Sequence, residues 1–174
     1  MRLINSIGVK ESVAYMYPLM YDVTNMDPSV GELNEQGIMK LPRIVRVSAE
    51  RMNSQNIYLA ENGRHMFLWI GRDVSNDKIQ ALFGVESLAV VQPFHKRLTN
   101  PNSAFSKQLN LVISYLRDNR HRYMALTIVR QQIDVVSESR FQNLLIEDAN
   151  LDSKCYVDFL VDIHKSVQNE VANK

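Results

Sequence analysis

The side chains best suited to metal binding or nucleophilic catalysis are four histidines and a single cysteine. His65, His95, His121 and His164 do not share a metal-ligand spacing, such as two ligands four positions apart on a helix. Cys155 could act as a nucleophile with one of these histidines, or it could simply pack as a small residue. No recognisable catalytic signature surrounds it. The sequence therefore favours a protein without enzymatic activity and keeps a small Cys-dependent hydrolase as an alternative.

Carboxylates and glycines do not indicate a more specific chemistry. Glu61, Asp73 and Asp77 are expected around one edge of a sheet, where they could contribute to a calcium site or remain solvated. A calcium loop has a denser run of oxygen ligands, which favours solvated carboxylates. The six glycines are scattered and form no phosphate-binding loop. The sequence predicts no cofactor and no metal ion in this chain.

Two basic clusters could form a local interaction surface. One is His95-Lys96-Arg97, and the other contains Arg117, Arg120, His121 and Arg122. Clusters of this kind can meet anionic lipid or an acidic segment of a partner protein. The alternative is that these cations complement the dipole at the C-terminus of a helix.

A group of aromatic residues near the N-terminus is the other candidate binding site. Tyr15, Tyr17 and Tyr21, together with Pro18, could form a shelf for a proline-rich peptide. The same spacing is typical of a short helix that packs against the rest of the protein. Both interpretations place the four residues on one helical piece, Val9–Tyr21, which ends or kinks near the proline.

Composition and charge exclude several classes of protein. The chain is 45% hydrophobic and 22% charged, which suits one compact globular domain. A formal net charge of +1 gives no global field for nucleic acid. A single cysteine excludes an internal disulfide framework and fits a reducing compartment such as the cytosol. Because no run approaches about 18 apolar residues, neither a transmembrane helix nor a secretory signal is expected.

The elements that position these residues are organised around a hairpin at Asn56–Gly71. Asn62-Gly63 lies between two apolar runs and predicts a two-residue turn with Glu61 opposite Arg64, in a weak cross-strand contact. One face of the hairpin then carries Ile57, Leu59, Met66, Leu68 and Ile70, and the other carries Tyr58, Phe67 and Trp69. Since both faces are apolar, we expect layers of helices above and below the sheet.

The pattern outside the hairpin predicts further strands and helices. Strands are expected at Ile44–Val47 and Tyr123–Val129, and helices at Lys78–Phe83, after Ser103, after Ser137 and after Asp152-Ser153. The polar stretch Asp22–Lys40 is interpreted as a linker. The last helix has an apolar stripe from Tyr156 to Val171 that requires a partner. We expect this helix to pack on the N-terminal helix or to share one surface of the sheet domain with it.

Several blocks of sequence, in order along the chain, carry a family resemblance. They are Tyr17–Tyr21, Leu41–Met52, Ile57–Gly63, Met66–Gly71, Leu82–Val85, Arg122–Met124 and Ile128–Arg130. Together they resemble the C-terminal region of the cargo-adaptor subunit of coat protein complex II (COPII). The similarity covers roughly residues 13–165. The chain departs from the family pattern at three places: it has one proline at Pro42 where relatives tend to have two, Ala125 where a proline is usual, and Thr127 where an aromatic residue is common. These departures concern which relative this is and not the family.

The resemblance implies an α/β (α+β) fold, a gelsolin-like mixed sheet between helices, with flanking N- and C-terminal helices from an all-helical domain. It divides the chain into a helical-domain segment (1–26), a linker (27–40), a gelsolin-like domain (41–150) and a C-terminal helix (151–174). It also implies that the chain is the C-terminal part of a longer protein, whose zinc finger lies elsewhere.

The same resemblance implies a non-enzymatic scaffold and interaction module of the inner COPII coat, acting in cargo selection and transport from endoplasmic reticulum to Golgi. The implied partners are other coat subunits, chiefly the partner subunit of the inner coat, and cargo or cargo receptors. The implied location is the cytoplasm, with peripheral contact with the endoplasmic reticulum membrane and no nucleic acid partner. An actin-binding module of the gelsolin or cofilin type remains an alternative function on the same fold.

Overall fold

A five-stranded sheet with helices on both faces forms the body of the protein. The computed structural model describes residues 8–91, 97–148 and 155–172. In chain order the elements are α1 (Val9–Met16), β1 (Leu19–Asp22), β2 (Arg43–Val45), β3 (Ile57–Glu61), β4 (Met66–Ile70), α2 (Asn76–Phe83), α3 (Ala104–Asp118), β5 (Leu126–Arg130), α4 (Val135–Gln142) and α5 (Tyr156–Ala172). Short 3₁₀ turns occur at Ala49–Arg51 and Leu88–Val90.

The strands are arranged in the order β2-β1-β3-β4-β5. Neighbouring strands are antiparallel except for β4 and β5, which are parallel. A parallel pair needs a crossover connection, and the chain between β4 and β5 contains α2 and α3. The sheet is therefore mixed, as the family resemblance implied, and the β3–β4 hairpin lies inside it rather than at an edge.

The register of the hairpin differs by two residues from the prediction. Glu61 pairs with Met66 and not with Arg64. The turn is formed by Gly63 and Arg64, and within the turn region only Gly63 has a positive φ, of 76°. The expected turn at Asn62-Gly63 is therefore wrong, because Asn62 remains part of the hairpin ladder through its backbone N–H. A shift of two residues keeps every side chain on its predicted face.

The first face of the sheet is covered by α2 and α3. Residues of β3 and β4 on this face, such as Leu59 and Leu68, are 0% exposed. The covering helices contribute Ile79, Leu82, Leu109, Val112, Ile113 and Leu116 to the same cluster. Burial of large aliphatic side chains is worth about 1.5–3 kcal/mol each, so this layer supplies much of the stability of the fold.

The second face of the sheet is covered by α4 and the residues that follow it. Tyr58, Phe67 and Trp69 form one cluster with Phe141, Leu144 and Leu145. Trp69 stacks on Phe141 with 6.2 Å between ring centroids, an arrangement typical of packed aromatic pairs. Both faces of the hairpin are buried, as predicted.

Most helix ends follow the predicted caps. α2 ends at Gly84 in the left-handed region (φ 73°), and α3 begins after Ser103, whose Oγ accepts the N–H of Ser106 at 3.1 Å. Ser137 does not cap α4 but lies inside it. The helix starts earlier, after Asp134, because a buried ion pair with an arginine of β5 holds that aspartate in place.

The N-terminal segment contributes a strand to the sheet instead of a longer helix. α1 stops before Pro18, whose ring cannot continue a helix, and β1 then pairs with both β2 and β3. The predicted end of the helix near the proline is thus confirmed, whereas the alternative of a kinked helix that continues to Tyr21 is wrong. The division of the chain at residues 26, 40 and 150 stays a prediction, although residues 19–22 of the proposed helical segment belong to the sheet.

The segment interpreted as a linker packs partly on the core. Val23 is 0% exposed and Val30 is 6% exposed, and both belong to the first cluster. Gln108 of α3 donates its amide N–H to the carbonyl of Asp27 at 2.7 Å. These contacts attach the segment to the body of the protein.

The last helix leaves its apolar side chains in solvent. Those that are between 39% and 70% exposed are Tyr156, Val157, Phe159, Leu160, Val161, Ile163, Val167 and Val171. The ring of Tyr156 meets Tyr17 edge-on at 5.4 Å, but α1 packs elsewhere, with Ala14 buried next to the hairpin turn. The predicted packing of the two terminal helices on each other is therefore wrong. No helix among the described residues is long and apolar enough to cross a membrane.

Candidate interaction groove

A groove of about 620 Å³ lies at the end of the sheet that carries the β3–β4 turn. It is bounded by the α1–β1 connection, by the hairpin, and by the end of α4 with the residues after it. The lining residues, which define what we call the tip groove, are Tyr15, Pro18, Asn62, Arg64, His65, Phe67, Thr127, Arg140, Asn143, Leu144 and Ile146.

The hairpin turn that forms one wall is held by its own asparagine. The side-chain oxygen of Asn62 accepts the backbone N–H of Arg64 at 3.2 Å and that of His65 at 2.9 Å. Gly63 permits the positive φ of the turn without a Cβ penalty. A Cβ at Gly63 would lie 3.6 Å from the side chain of Ala14, so α1 closely backs the turn. The position of the wall is therefore fixed from two sides.

A buried ion pair supports the turn from below. Glu61 is 0% exposed, accepts the N–H of Gly63 at 2.6 Å and forms a salt bridge with Arg120, whose side chain is 10% exposed. The predicted surface contact between Glu61 and Arg64 is therefore wrong. A carboxylate removed from water needs such partners, because its desolvation is otherwise costly.

The floor of the groove is apolar and belongs to the second core cluster. Phe67 is 4% exposed and Leu144 is 6% exposed, and Pro18 is buried beside them. Phe67 packs edge-on against Phe141 with 6.1 Å between ring centroids. A floor anchored in the core can accept an apolar side chain without rearranging.

The rim of the groove is basic. The guanidinium carbon of Arg64 lies 6.0 Å from the centroid of the Tyr15 ring, at the outer limit of a cation–π contact. Arg140 lies in the last turn of α4 and is exposed, and His65 is exposed at the turn. Among the described residues that line the groove there is no carboxylate. The groove therefore presents positive charge above an apolar floor.

Comparisons with known proteins show which proteins have a similar sequence and fold. A family model described as "Gelsolin repeat" matches residues 38–108. Human "Protein transport protein Sec24C" is 34% identical over 168 residues, which cover 96% of this chain and 14% of that protein. The crystal structure of the human COPII-coat protein Sec24c matches with a TM-score of 0.79 and 34% identity, covering 95% of this chain and 21% of the other. Over nearly its whole length, the chain is therefore similar to one segment of Sec24 proteins.

Other Sec24 relatives agree with this assignment. Human Sec24D is 32% identical, covering 95% of this chain and 15% of that protein. Arabidopsis thaliana SEC24 B is 27% identical, covering 97% of this chain and 15% of that protein. The chain thus spans about a seventh of the length of these relatives. The family resemblance and the gelsolin-like α/β fold expected from the sequence are confirmed.

The aromatic residues predicted as one binding shelf are separated in the structure. Tyr15 and Pro18 line the tip groove. Tyr17 donates its hydroxyl to the carboxylate of Glu147, and this hydrogen bond raises the pKa of Tyr17 to about 12. Tyr21 is 1% exposed in β1, and burial raises its pKa to about 12. Tyr21 offers no ring surface to a peptide, so its place in the shelf is wrong.

Residues of the second basic cluster make contacts within the chain. Arg117 donates from Nε to the carbonyl of Met124 at 2.8 Å and lies 4.8 Å from the ring centroid of Tyr123. Arg120 is occupied by its buried salt bridge, whereas Arg122 is exposed. Two of the three arginines thus have partners within the chain. Binding of lipid or an acidic partner by this cluster stays a prediction.

The other candidate residues are also dispersed. His65 lies at the groove, His121 Nε2 is 3.2 Å from the carboxylate of Glu11, and His164 is exposed on α5. Cys155 is half-buried. His95 and Lys96 lie outside the described residues.

Two of the carboxylates expected around one edge of the sheet, those of Glu61 and Asp73, do not lie together. Glu61 lies at the turn end of the hairpin, while Asp73 follows β4 at the opposite end of the sheet and accepts the hydroxyl of Ser54 at 2.5 Å. This hydrogen bond holds the pKa of Asp73 below its usual value. Within residues 8–91, 97–148 and 155–172, no group of three His, Cys, Asp or Glu side chains is placed to hold a metal ion.

Sequence reasoning missed Arg64 and Arg140 as two parts of one site. They lie in different elements, and neither has a local motif, so only the fold brings them to the same groove. One signal could have revealed the support beneath the turn. Glu61 ends a strand that is otherwise apolar on that face, and a carboxylate in such a position requires a cation from elsewhere in the chain.

Proposed function

We propose that this chain is a segment of a COPII coat adaptor, a non-enzymatic scaffold and protein-interaction module that acts in cargo selection and vesicle transport from endoplasmic reticulum to Golgi. The observation that carries the proposal is the match to the human COPII-coat protein Sec24c, at 34% identity and a TM-score of 0.79 over 95% of the chain. At this identity the likeness extends to sequence as well as fold, which raises it above an argument from fold alone.

The proposed partners are other coat subunits, chiefly the partner subunit of the inner COPII coat, and cargo or cargo receptors bound through the whole adaptor. The proposed location is the cytoplasmic side of the endoplasmic reticulum membrane and the vesicles that leave it, by peripheral contact. An actin-binding role is not favoured, because the relatives that match nearly the whole chain are named as transport proteins.

A chimaeric coat subunit tests this proposal. The matching segment of human Sec24C is replaced by this chain, and the chimaera is mixed with the purified partner subunit of the inner coat. Size-exclusion chromatography should show one complex, because the 34% identical segment should dock within the adaptor as its counterpart does. A chimaera with a scrambled segment of equal composition is the control. Failure of a folded chimaera to form the complex would contradict the proposal.

A further inference from the structure

We propose that the tip groove binds an extended acidic peptide segment in which carboxylates alternate with aliphatic side chains. This inference rests on the proposed function, since it names the class of segment that a transport partner would present to this site. Its support comes from the charge of the rim, the burial of the floor and the way in which nearby carboxylates are already occupied.

The charge of the groove is positive, and within the described part of the chain neither Arg64 nor Arg140 forms a salt bridge. Arg64 and Arg140 carry permanent charge, because a guanidinium is not deprotonated in proteins. The carboxylate of Glu61 is buried and faces Arg120. The carboxylate of Glu147, next to the groove residue Ile146, is bound by Tyr17 and by an arginine of the β2 region. Neither carboxylate is free to pair with the rim.

The shape of the groove suits a peptide better than a flat lipid surface. Its floor, formed by Phe67, Leu144 and Pro18, lies below the rim and can receive an aliphatic side chain. Its volume of about 620 Å³ lies inside the range of roughly 300–1,000 Å³ that is common for ligand pockets. The exposed amide of Asn143 is a donor and acceptor for a peptide backbone.

The preferred sequence follows from these contacts. In an extended peptide, successive side chains point to opposite sides, so aliphatic residues can face the floor while the residues between them face the rim. Carboxylates at the rim positions would meet Arg64 and Arg140 through charge-assisted hydrogen bonds. Lysine at those positions would meet like charge and be rejected.

The test uses the complete chain and three fluorescein-labelled peptides in which leucine alternates with aspartate, asparagine or lysine. Fluorescence anisotropy should show binding of the aspartate peptide, at least tenfold weaker binding of the asparagine peptide, and none of the lysine peptide. Raising the salt concentration from about 50 to about 300 mM should weaken the aspartate complex, since exposed charges are screened at short range at high salt.

Charge-reversal variants locate the binding. The double variant Arg64→Glu, Arg140→Glu should lose at least tenfold in affinity for the aspartate peptide. Arg43→Glu, on the exposed edge strand β2, is the matched control and should bind as the unmodified chain does. Should the double variant melt early, the single variant Arg140→Gln removes one charge, keeps a polar side chain and should still weaken binding several-fold.

Three results would overturn the inference: no binding of the aspartate peptide, equal binding by the double variant, or equal loss in the Arg43 control. Vesicles of phosphatidylcholine with phosphatidylserine form a further arm. If these vesicles bind through the two arginines and the peptide does not, the groove meets lipid and the inference is wrong. The chimaeric Sec24C separates this failure from that of the proposed function, because complex formation with the partner subunit does not require the peptide.

Discussion

Removal of the Glu61 carboxylate tests the support beneath the hairpin turn. Glu61 accepts the backbone N–H of Gly63 at 2.6 Å and pairs with Arg120 while fully buried. Glu61→Ala removes both interactions and leaves the guanidinium of Arg120, only 10% exposed, without its partner. Glu61→Gln keeps an acceptor of similar shape but loses the charge.

The expected loss in the free energy of unfolding follows from the interactions that each variant removes. Breaking a buried ion pair by removing one partner costs about 3–5 kcal/mol, and we expect a loss of this size in the free energy of unfolding for Glu61→Ala. Glu61→Gln should lose about 1.5–3 kcal/mol, the usual contribution of a hydrogen bond to a charged group. Domains are typically stable by about 5–15 kcal/mol, so both variants should still fold.

Urea denaturation followed by tryptophan fluorescence is the assay, since Trp69 is the single tryptophan and is 4% exposed. A double-mutant cycle of Glu61→Gln with Arg120→Met should give a coupling energy of about 1–3 kcal/mol. The control cycle pairs Glu61→Gln with Arg64→Met, and its coupling energy should stay below about 0.5 kcal/mol. Equal coupling in the two cycles, or a loss below about 1 kcal/mol for Glu61→Ala, would refute the reasoning.

Three further predictions concern the core. Trp69→Ala should cost about 3–5 kcal/mol by removing a buried aromatic residue, and a loss below about 1 kcal/mol on urea denaturation would show that this face is open to water. Gly71→Ala should cost about 1–3 kcal/mol, because a Cβ there would lie 2.0 Å from the carbonyl oxygen of Ser54; an unchanged melting temperature would contradict this close approach. Tyr21 has a pKa of about 12, raised from 10.0 chiefly by burial, so its contribution to stability is complete below pH 10 and is lost as the pH rises towards 12. Tyr21→Phe should reduce the loss of unfolding free energy between about pH 10 and 12, as measured by denaturation at each pH. An unchanged pH dependence would show that deprotonation of Tyr21 does not cause this loss.

The faces of the hairpin could be predicted from sequence, but its register could not. Side chains alternate along a strand, so a register error of two residues leaves Tyr58 and Trp69 on the correct face. The exact turn depends on Asn62, whose side chain bonds two backbone N–H groups in place of a turn with two positive φ values. Local sequence alone does not decide between these two uses of asparagine.

The N-terminal strand was missed because its stability comes from distant partners. Tyr17 and Tyr21 are four residues apart, which imitates a helical stripe, while β1 is held by pairing with β2 and β3. The same reason explains the buried pair of Glu61 and Arg120, whose members are 59 residues apart. Tyr15 and Pro18 were identified as candidates from composition, but the basic residues opposite them in the tip groove depend on the fold.

The most direct measurement of the central claim is cargo packaging by the chimaeric Sec24C in a COPII budding reaction on endoplasmic reticulum membranes. If this chain is a segment of a COPII coat adaptor, the chimaera should release vesicles and package cargo to within about twofold of unmodified Sec24C, whereas the scrambled control should not. A chimaera that folds and melts like Sec24C but releases no cargo-loaded vesicles would contradict the account.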